Sequence, residues 1–73
     1  MIIMGVDPGF AITGYGILEY QNNKLKLMEV GAVETKAGEL FTWRLLQIDE
    51  KLTEMIRKHE PDAFAIEELF FNN

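Results

Sequence analysis

Apolar residues follow two different periodicities along the chain. Residues 2–7 form a nearly continuous apolar run, which predicts a strand that is buried on both faces. Residues 14–20 and 24–35 predict two further strands. In the third strand the alternation of Lys and Leu changes phase near Met28 and Glu29, which is typical of a β-bulge. Because short turns separate these segments, the pattern predicts an antiparallel meander of three strands.

The period then lengthens to that of a helix between Leu40 and His59. Pro61 ends the helix, and residues 62–67 return to a strand-like apolar run. The helix carries one apolar face that is expected to pack on the sheet. Its members recur at steps of three and four residues: Phe41, Leu45, Ile48, Leu52 and Met55 or Ile56.

Three further features of the helix have simple structural interpretations. Glu54 and Lys58 have the spacing and order of a favourable ion pair on one helix face. His59 lies close to the end of the helix, where it is expected to interact with the helix dipole. Trp43 is expected to be a packing residue.

The element order is therefore β-β-β-α-β, an α/β fold. A strand that follows a helical crossover runs parallel to its neighbour, and such crossovers are right-handed. Since the first and fourth strands are the most apolar, the simplest arrangement places them side by side. This predicts a mixed sheet of order 3-2-1-4 with one crossover helix and an open edge at the fourth strand.

Two carboxylates end the two strands that are predicted to be parallel neighbours. Asp7 closes the first strand and Glu67 closes the fourth, so both are expected at the same rim of the sheet, about 4.8 Å apart in strand spacing. Carboxylates this close repel one another unless a cation lies between them. Oxygen ligands suit Mg²⁺ or Mn²⁺. A pair of such ions about 4 Å apart is a common device for phosphodiester cleavage. The simpler alternative is that Asp7 is a turn residue and Glu67 a solvated strand end.

Composition narrows the class of protein. The chain has 73 residues, a net charge of -5 and no cysteine, so it forms at most one small domain, without a disulfide framework or a cysteine-based zinc site. It contains neither a run of about 20 apolar residues nor a signal peptide, and a cytoplasmic setting fits. The acidic balance by itself argues against a nucleic-acid partner, which needs clustered basic residues.

Two other segments offer candidate contacts to a ligand. The glycine-rich segment DPGFAITGYG, with Thr13 inside it, is a candidate for contacting phosphate groups, including those of DNA, although a simple hairpin turn is the more frequent role of such a segment. Phe70 and Phe71 follow Glu67 closely. They either complete the core or stack on unpaired bases of a nucleic acid.

The segments GVDPGFAITGYGILE and PDAFAIEELFFNN resemble the N-terminal half of the RuvC-type Holliday junction resolvases, and GAVETKAG and RLLQI between them are similar to that family too. The resemblance implies a ribonuclease H-like fold and a homodimeric endonuclease that nicks opposed strands of a four-way DNA junction with Mg²⁺ or Mn²⁺ and water. It implies that Asp7 and Glu67 are two of four metal-binding carboxylates, and that Phe70 contacts bases near the crossover.

The same resemblance predicts that residues 1–73 are the N-terminal portion of one nuclease domain. In the family the other two acidic ligands, basic DNA contacts and the main dimer helix lie further along the chain. This portion alone is expected to cleave nothing. Two alternatives remain at this point: a phosphate-binding part of an actin-like ATPase, and a non-catalytic interaction module.

Overall fold

The described residues form a four-stranded mixed sheet and one helix. The computed structural model describes residues 1–9, 12–36 and 38–66. The sheet order is β3-β2-β1-β4, with β4 parallel to β1 and the other neighbours antiparallel. The predicted element order and sheet order are confirmed. The elements are β1 (Ile2–Asp7), β2 (Ile12–Gln21), β3 (Lys24–Glu34), α1 (Phe41–His59) and β4 (Ala63–Ile66).

A two-residue turn joins β2 to β3. Asn22 and Asn23 have φ angles of 53° and 60°, in the left-handed region that asparagine tolerates better than most residues. Two consecutive residues of this conformation match the right-handed twist of the flanking strands. The Tyr20 hydroxyl donates a hydrogen bond of 3.1 Å to Asn23 Oδ1 and braces the turn. The sequence Asn-Asn therefore fixes a tight hairpin at this point.

The predicted bulge in β3 is confirmed. Ile17 on β2 is paired with Glu29, whereas the next residue, Leu18, is paired with Leu27, so Met28 is the extra residue. A bulge of this kind shifts the alternation of side chains along the strand. As a consequence, Glu29 lies on the same face as Ile17, which is the face that packs against α1.

The core is small and lies between the centre of the sheet and the C-terminal half of α1. Its buried apolar side chains are Met4, Tyr15, Ile17 and Met55, with Ile2, Val6 and Leu52 packed against them. The prediction that one apolar face of the helix packs on the sheet is therefore confirmed only for the second half of α1. Leu45 is half exposed, Phe41 is 69% exposed and Trp43 is 53% exposed. The expectation that these three pack in the core is wrong for this chain, because the buried side chains of the sheet pack against Leu52 and Met55, further along α1.

Polar contacts attach both ends of α1 to the sheet. Near its start, Arg44 Nε donates a hydrogen bond of 2.9 Å to Thr35 Oγ1, just after β3. At its end, Glu60 adopts the left-handed conformation (φ 47°) and its N–H donates to the Ile56 carbonyl at 2.8 Å. Pro61 follows and ends the helix, as predicted.

The ion pairs of α1 differ from the expected one. Lys58 Nζ lies 2.8 Å from Glu29 Oε1 on β3, whereas Glu54 lies 3.5 Å from Lys51. The predicted Glu54–Lys58 pair is thus replaced, since the bulge presents Glu29 to the helix end. Within the described part of the chain, no helix has both the length and the apolar character needed to cross a membrane.

Candidate active site

Asp7 is the last residue of β1 and is exposed at the carboxyl end of that strand. Its neighbour across the antiparallel pairing is Gly14 on β2. A Cβ atom built on Gly14 would lie 3.8 Å from the Asp7 Cβ, so the absence of a side chain there leaves the carboxylate uncovered. Side chains alternate along a strand, and Val6 packs against the core on the helix side. Asp7 therefore belongs to the opposite face, away from α1.

An open depression of about 370 Å³ lies on the sheet beside Asp7. Four residues without side chains form much of its lining: Gly5, Gly14, Gly16 and Gly31. Val30 and Ala65 border it. Gly5 and Gly16 are direct neighbours across β1 and β2. The sheet is consequently flat next to the carboxylate, and an extended ligand can approach the main chain closely.

The register of β4 relative to β1 determines which part of the chain lies level with Asp7. The parallel pairing runs from Ile3 opposite Ala63 to Val6 opposite Ile66. Asp7 is the residue that follows Val6, and Glu67 is the residue that follows Ile66. The two strands are adjacent and parallel, as the sequence predicted. The pairing of the Asp7 and Glu67 carboxylates stays a prediction, because Glu67 lies outside the described residues.

Three of the predicted site residues, Glu67, Phe70 and Phe71, lie outside the described residues. Within residues 1–9, 12–36 and 38–66, no three His, Cys, Asp or Glu side chains lie close enough together to hold a metal ion. Asp7 is thus the described part of the predicted metal site.

Thr13 was a candidate for contacting phosphate, and the fold does not support that role. It lies within β2, opposite Val33, and is only 3% exposed. A side chain that is buried in the sheet has no surface to offer a DNA backbone. In the described part of the chain, the segment from Ile12 onward is strand rather than a phosphate-binding loop.

A cluster of charged side chains that the sequence did not indicate joins β3 to the end of α1. Glu29 contacts both Lys58 and His59, whose Nε2 lies 3.3 Å from Glu29 Oε2. The hydrogen bond from Lys58 lowers the pKa of Glu29, with a smaller effect from His59, and the same bond raises the pKa of Lys58. The cluster lies on the helix side, on the opposite face from Asp7, so it is structural rather than part of the candidate site.

A second unpredicted feature is the contact of Asp62 with the start of β1. Ile2 N–H donates a hydrogen bond of 2.7 Å to Asp62 Oδ2. The sequence signal for it was the aspartate that directly precedes the last apolar strand.

Comparison with known proteins identifies the family. The family model described as "Crossover junction endodeoxyribonuclease RuvC" matches residues 3–73. A protein of that name from Ruminiclostridium cellulolyticum is 53% identical over 72 residues, which cover 99% of this chain and 43% of that protein.

Comparison with solved structures finds the same family. Thermus thermophilus RuvC superimposes with a TM-score of 0.87 at 29% identity, over 100% of this chain and 46% of that one. The same protein in complex with a Holliday junction substrate also gives 0.87, at 28% identity, over 100% of this chain and 47% of that one. The chain thus spans less than half the length of each of these two proteins.

The fold is therefore ribonuclease H-like, and the actin-like ATPase alternative is not the family that matches. The family model covers nearly the whole chain, and the relative from Ruminiclostridium cellulolyticum is identical at about half of the aligned residues. On this combined evidence the chain belongs to the RuvC family of crossover junction endodeoxyribonucleases.

Proposed function

We propose that the protein to which this chain belongs is a metal-dependent endodeoxyribonuclease that resolves four-way (Holliday) DNA junctions in recombination and repair. The observation that carries the proposal is the parallel pairing of Val6 with Ile66, because each of these residues immediately precedes a candidate carboxylate. Asp7 and Glu67 are the proposed metal ligands and catalytic residues.

Hard divalent cations fit the donor set. The candidate ligands are carboxylate oxygens, the chain has no cysteine, and Mg²⁺ and Mn²⁺ are the ions that such ligands favour. A bound divalent ion supplies an activated water molecule and neutralises charge on the phosphate being cut. The proposed role of the two carboxylates is to hold that ion at the rim of the sheet. The family resemblance adds two further acidic ligands from the remainder of the protein.

The flat surface next to Asp7 suits a DNA backbone. Gly5, Gly14 and Gly16 place no side chain between the carboxylate and an approaching strand. Phe70, with Phe71 beside it, is the proposed base-contacting residue near the crossover. Thermus thermophilus RuvC has been solved with a Holliday junction substrate, which supports junction DNA as the partner here.

The charge of this chain requires a basic surface elsewhere in the protein. DNA binding needs lysine and arginine side chains against the phosphates, whereas this chain has a net charge of -5. We infer that the remainder of the protein supplies these residues and the contacts of a homodimer. Two active sites are then available for opposed strands of one junction. The setting is the cytoplasm, where branch-migration machinery is a further proposed partner.

Cleavage of a labelled synthetic four-way junction by the full-length protein tests the proposal. Asp7→Asn and Glu67→Gln remove one anionic ligand each and are expected to lower the cleavage rate at least about 100-fold, since even outer partners of metal ligands cost 10- to 100-fold. Junction binding in a gel-shift assay should persist. Asp49→Asn, at an exposed carboxylate of α1, is the matched control and should cleave normally.

Two outcomes would contradict the proposal. Normal cleavage by Asp7→Asn would favour the non-catalytic role for this strand end. Junction cleavage by the isolated 73-residue chain at a rate close to that of the full-length protein would show that no further ligands are needed.

A further inference from the structure

Asp62 joins the beginning of β4 to the beginning of β1 through two hydrogen bonds. Its carboxylate Oδ2 accepts a bond of 2.7 Å from the Ile2 N–H, and its own N–H donates a bond of 2.7 Å to the Ile2 carbonyl oxygen. One residue thus satisfies both main-chain groups of Ile2. The contact lies at the opposite end of the β1–β4 pair from Asp7. It connects β1, which carries Asp7, to β4, which directly precedes Glu67 in the sequence.

The sequence of β4 does not fix its own register. The strand has four residues that alternate small and large side chains, Ala63, Phe64, Ala65 and Ile66. A shift by one residue would exchange the faces, but a shift by two residues leaves the alternation unchanged. Packing adds little, because Phe64 is 55% exposed and Ile66 is 74% exposed. The register of this short strand therefore depends on contacts outside it.

A shift of β4 by two residues relative to β1 would separate the two proposed metal ligands. Each residue of a strand advances about 3.3 Å, so the residue after Ile66 would move by about 6.6 Å relative to Asp7. Oxygen atoms bind Mg²⁺ at about 2.0 to 2.1 Å, within a narrow range. Two carboxylates that share one ion in the correct register cannot share it after such a shift.

We infer that Asp62 is a positioning residue for the proposed metal site: its hydrogen bonds to Ile2 hold β4 in the register that brings the end of β4 level with Asp7. The inference rests on the proposed function for its metal, but its structural part stands independently. Asp62 itself is no ligand of that ion. It lies opposite Ile2, four residues before Val6, which is about 13 Å along the strand.

The register is measured by disulfide formation, since the chain contains no cysteine. Gly5→Cys with Ala65→Cys reports the observed register, because these residues are direct neighbours on the open face. Gly5→Cys with Ala63→Cys reports a shift by two residues. In the full-length protein, Asp62→Ala is expected to reduce the first disulfide and increase the second. Asp62→Asn keeps an oxygen that accepts from Ile2 N–H and should behave like the wild type.

Mn²⁺ affinity, measured by titration calorimetry of the full-length protein without the introduced cysteines, provides the second readout. Asp62→Ala should weaken binding about 10-fold, the lower end of what loss of an outer positioning contact costs. Asp62→Asn should bind normally, although it removes the same negative charge. Asp49→Ala is the matched control for loss of an exposed carboxylate. If Asp62→Ala does not fold, Asp62→Leu, which is similar in size and accepts no hydrogen bond, replaces it.

Unchanged disulfide patterns and unchanged Mn²⁺ affinity in Asp62→Ala would overturn the inference. Equal weakening by Asp62→Asn and Asp62→Ala, with the register intact, would overturn it as well, because charge rather than position would then be responsible. Failure of the proposed function has a different signature. Asp7→Asn would leave Mn²⁺ binding unchanged, while the disulfide pairs would still report whether Asp62 sets the register.

Discussion

Tyr15 occupies the space that Gly31 leaves open on the neighbouring strand. The two residues are partners across β2 and β3, and Tyr15 is buried. A Cβ atom built on Gly31 would lie nearest to the Tyr15 hydroxyl oxygen and 2.6 Å from Tyr15 Cζ, closer than real Cβ contacts. It would lie 3.1 Å from Cε1, which is tighter than most real Cβ contacts. The tyrosine ring thus covers the glycine, and its position depends on the absence of a side chain there.

Gly31→Ala is expected to destabilise the protein by about 1 to 3 kcal/mol, the usual cost of overpacking a core, since the buried ring must move to admit one methyl group. Urea denaturation measures the effect. Gly16→Ala is the matched control, because its added Cβ would meet no atom closer than the Glu29 carbonyl oxygen at 3.9 Å. Equal stabilities of the two variants would show that the ring adapts without cost.

At the scale of elements, α1 is attached to the sheet mainly through its C-terminal half. Met55 and Leu52 supply the apolar contact, and Glu29 supplies the polar one through Lys58 and His59. The basic side chains of the last helical turn also interact favourably with the helix dipole. The bulge at Met28 is what makes the polar contact available. An irregularity in one strand therefore anchors the end of the helix.

The ion pair predicts a pH dependence of stability. The pKa of Glu29 is lowered in the folded protein from 4.5, so its contribution is present above that pH and is lost as the pH falls through the lower folded value. The pKa of Lys58 is raised from 10.5, so the contribution persists up to that pH and is lost as the pH rises through the higher folded value. Glu29→Gln should therefore lower the melting temperature at neutral pH.

Thermal denaturation of the wild type and Glu29→Gln across the pH range checks this dependence. The difference in melting temperature should be largest near neutral pH and decrease at both extremes. Glu50→Gln, at an exposed position of α1, should show no such profile. A Glu29→Gln effect that is the same at acidic and neutral pH would mean that packing, rather than charge, is responsible.

At the scale of the whole molecule, the described residues bury few apolar side chains. Four are buried, whereas many large ones are exposed on both faces of the sheet, including Leu25, Leu27, Val30, Phe64 and Ile66. Contiguous exposed apolar surface of this kind marks an interaction surface. The chain spans less than half the length of the relatives it matches, which is consistent with these faces being covered by other parts of the protein.

The isolated 73-residue chain is expected to self-associate, because the free edge of β4 and its exposed apolar side chains invite pairing with another molecule. Sedimentation velocity over a range of concentrations measures this. Replacing Phe64 and Ile66 together by lysine should shift the distribution towards monomer, as charge on an edge strand opposes pairing. A wild-type chain that stays monomeric at the highest concentration would contradict the prediction.

Sequence reasoning and structure agree most closely where local rules apply. Four features act through neighbouring residues, and each was found where the pattern placed it: the apolar run of β1, the short turn between β2 and β3, the phase change at Met28 and the proline after α1. The errors concern contacts between distant segments. Phe41, Leu45 and Trp43 are apolar residues of a helix, which predicts burial. Whether each is buried depends on which other elements of the fold contact it.

The order of strands and the position of Asp7 at the end of β1 follow from the sequence alone, because periodicity and the handedness of crossovers leave few arrangements. The partner of Lys58, the burial of Thr13 and the two hydrogen bonds between Asp62 and Ile2 were decided by the tertiary structure. These depend on strand register and on a bulge, which bring together residues up to 60 positions apart. No local pattern carries that information, since a short strand with alternating side chains fits more than one register equally well.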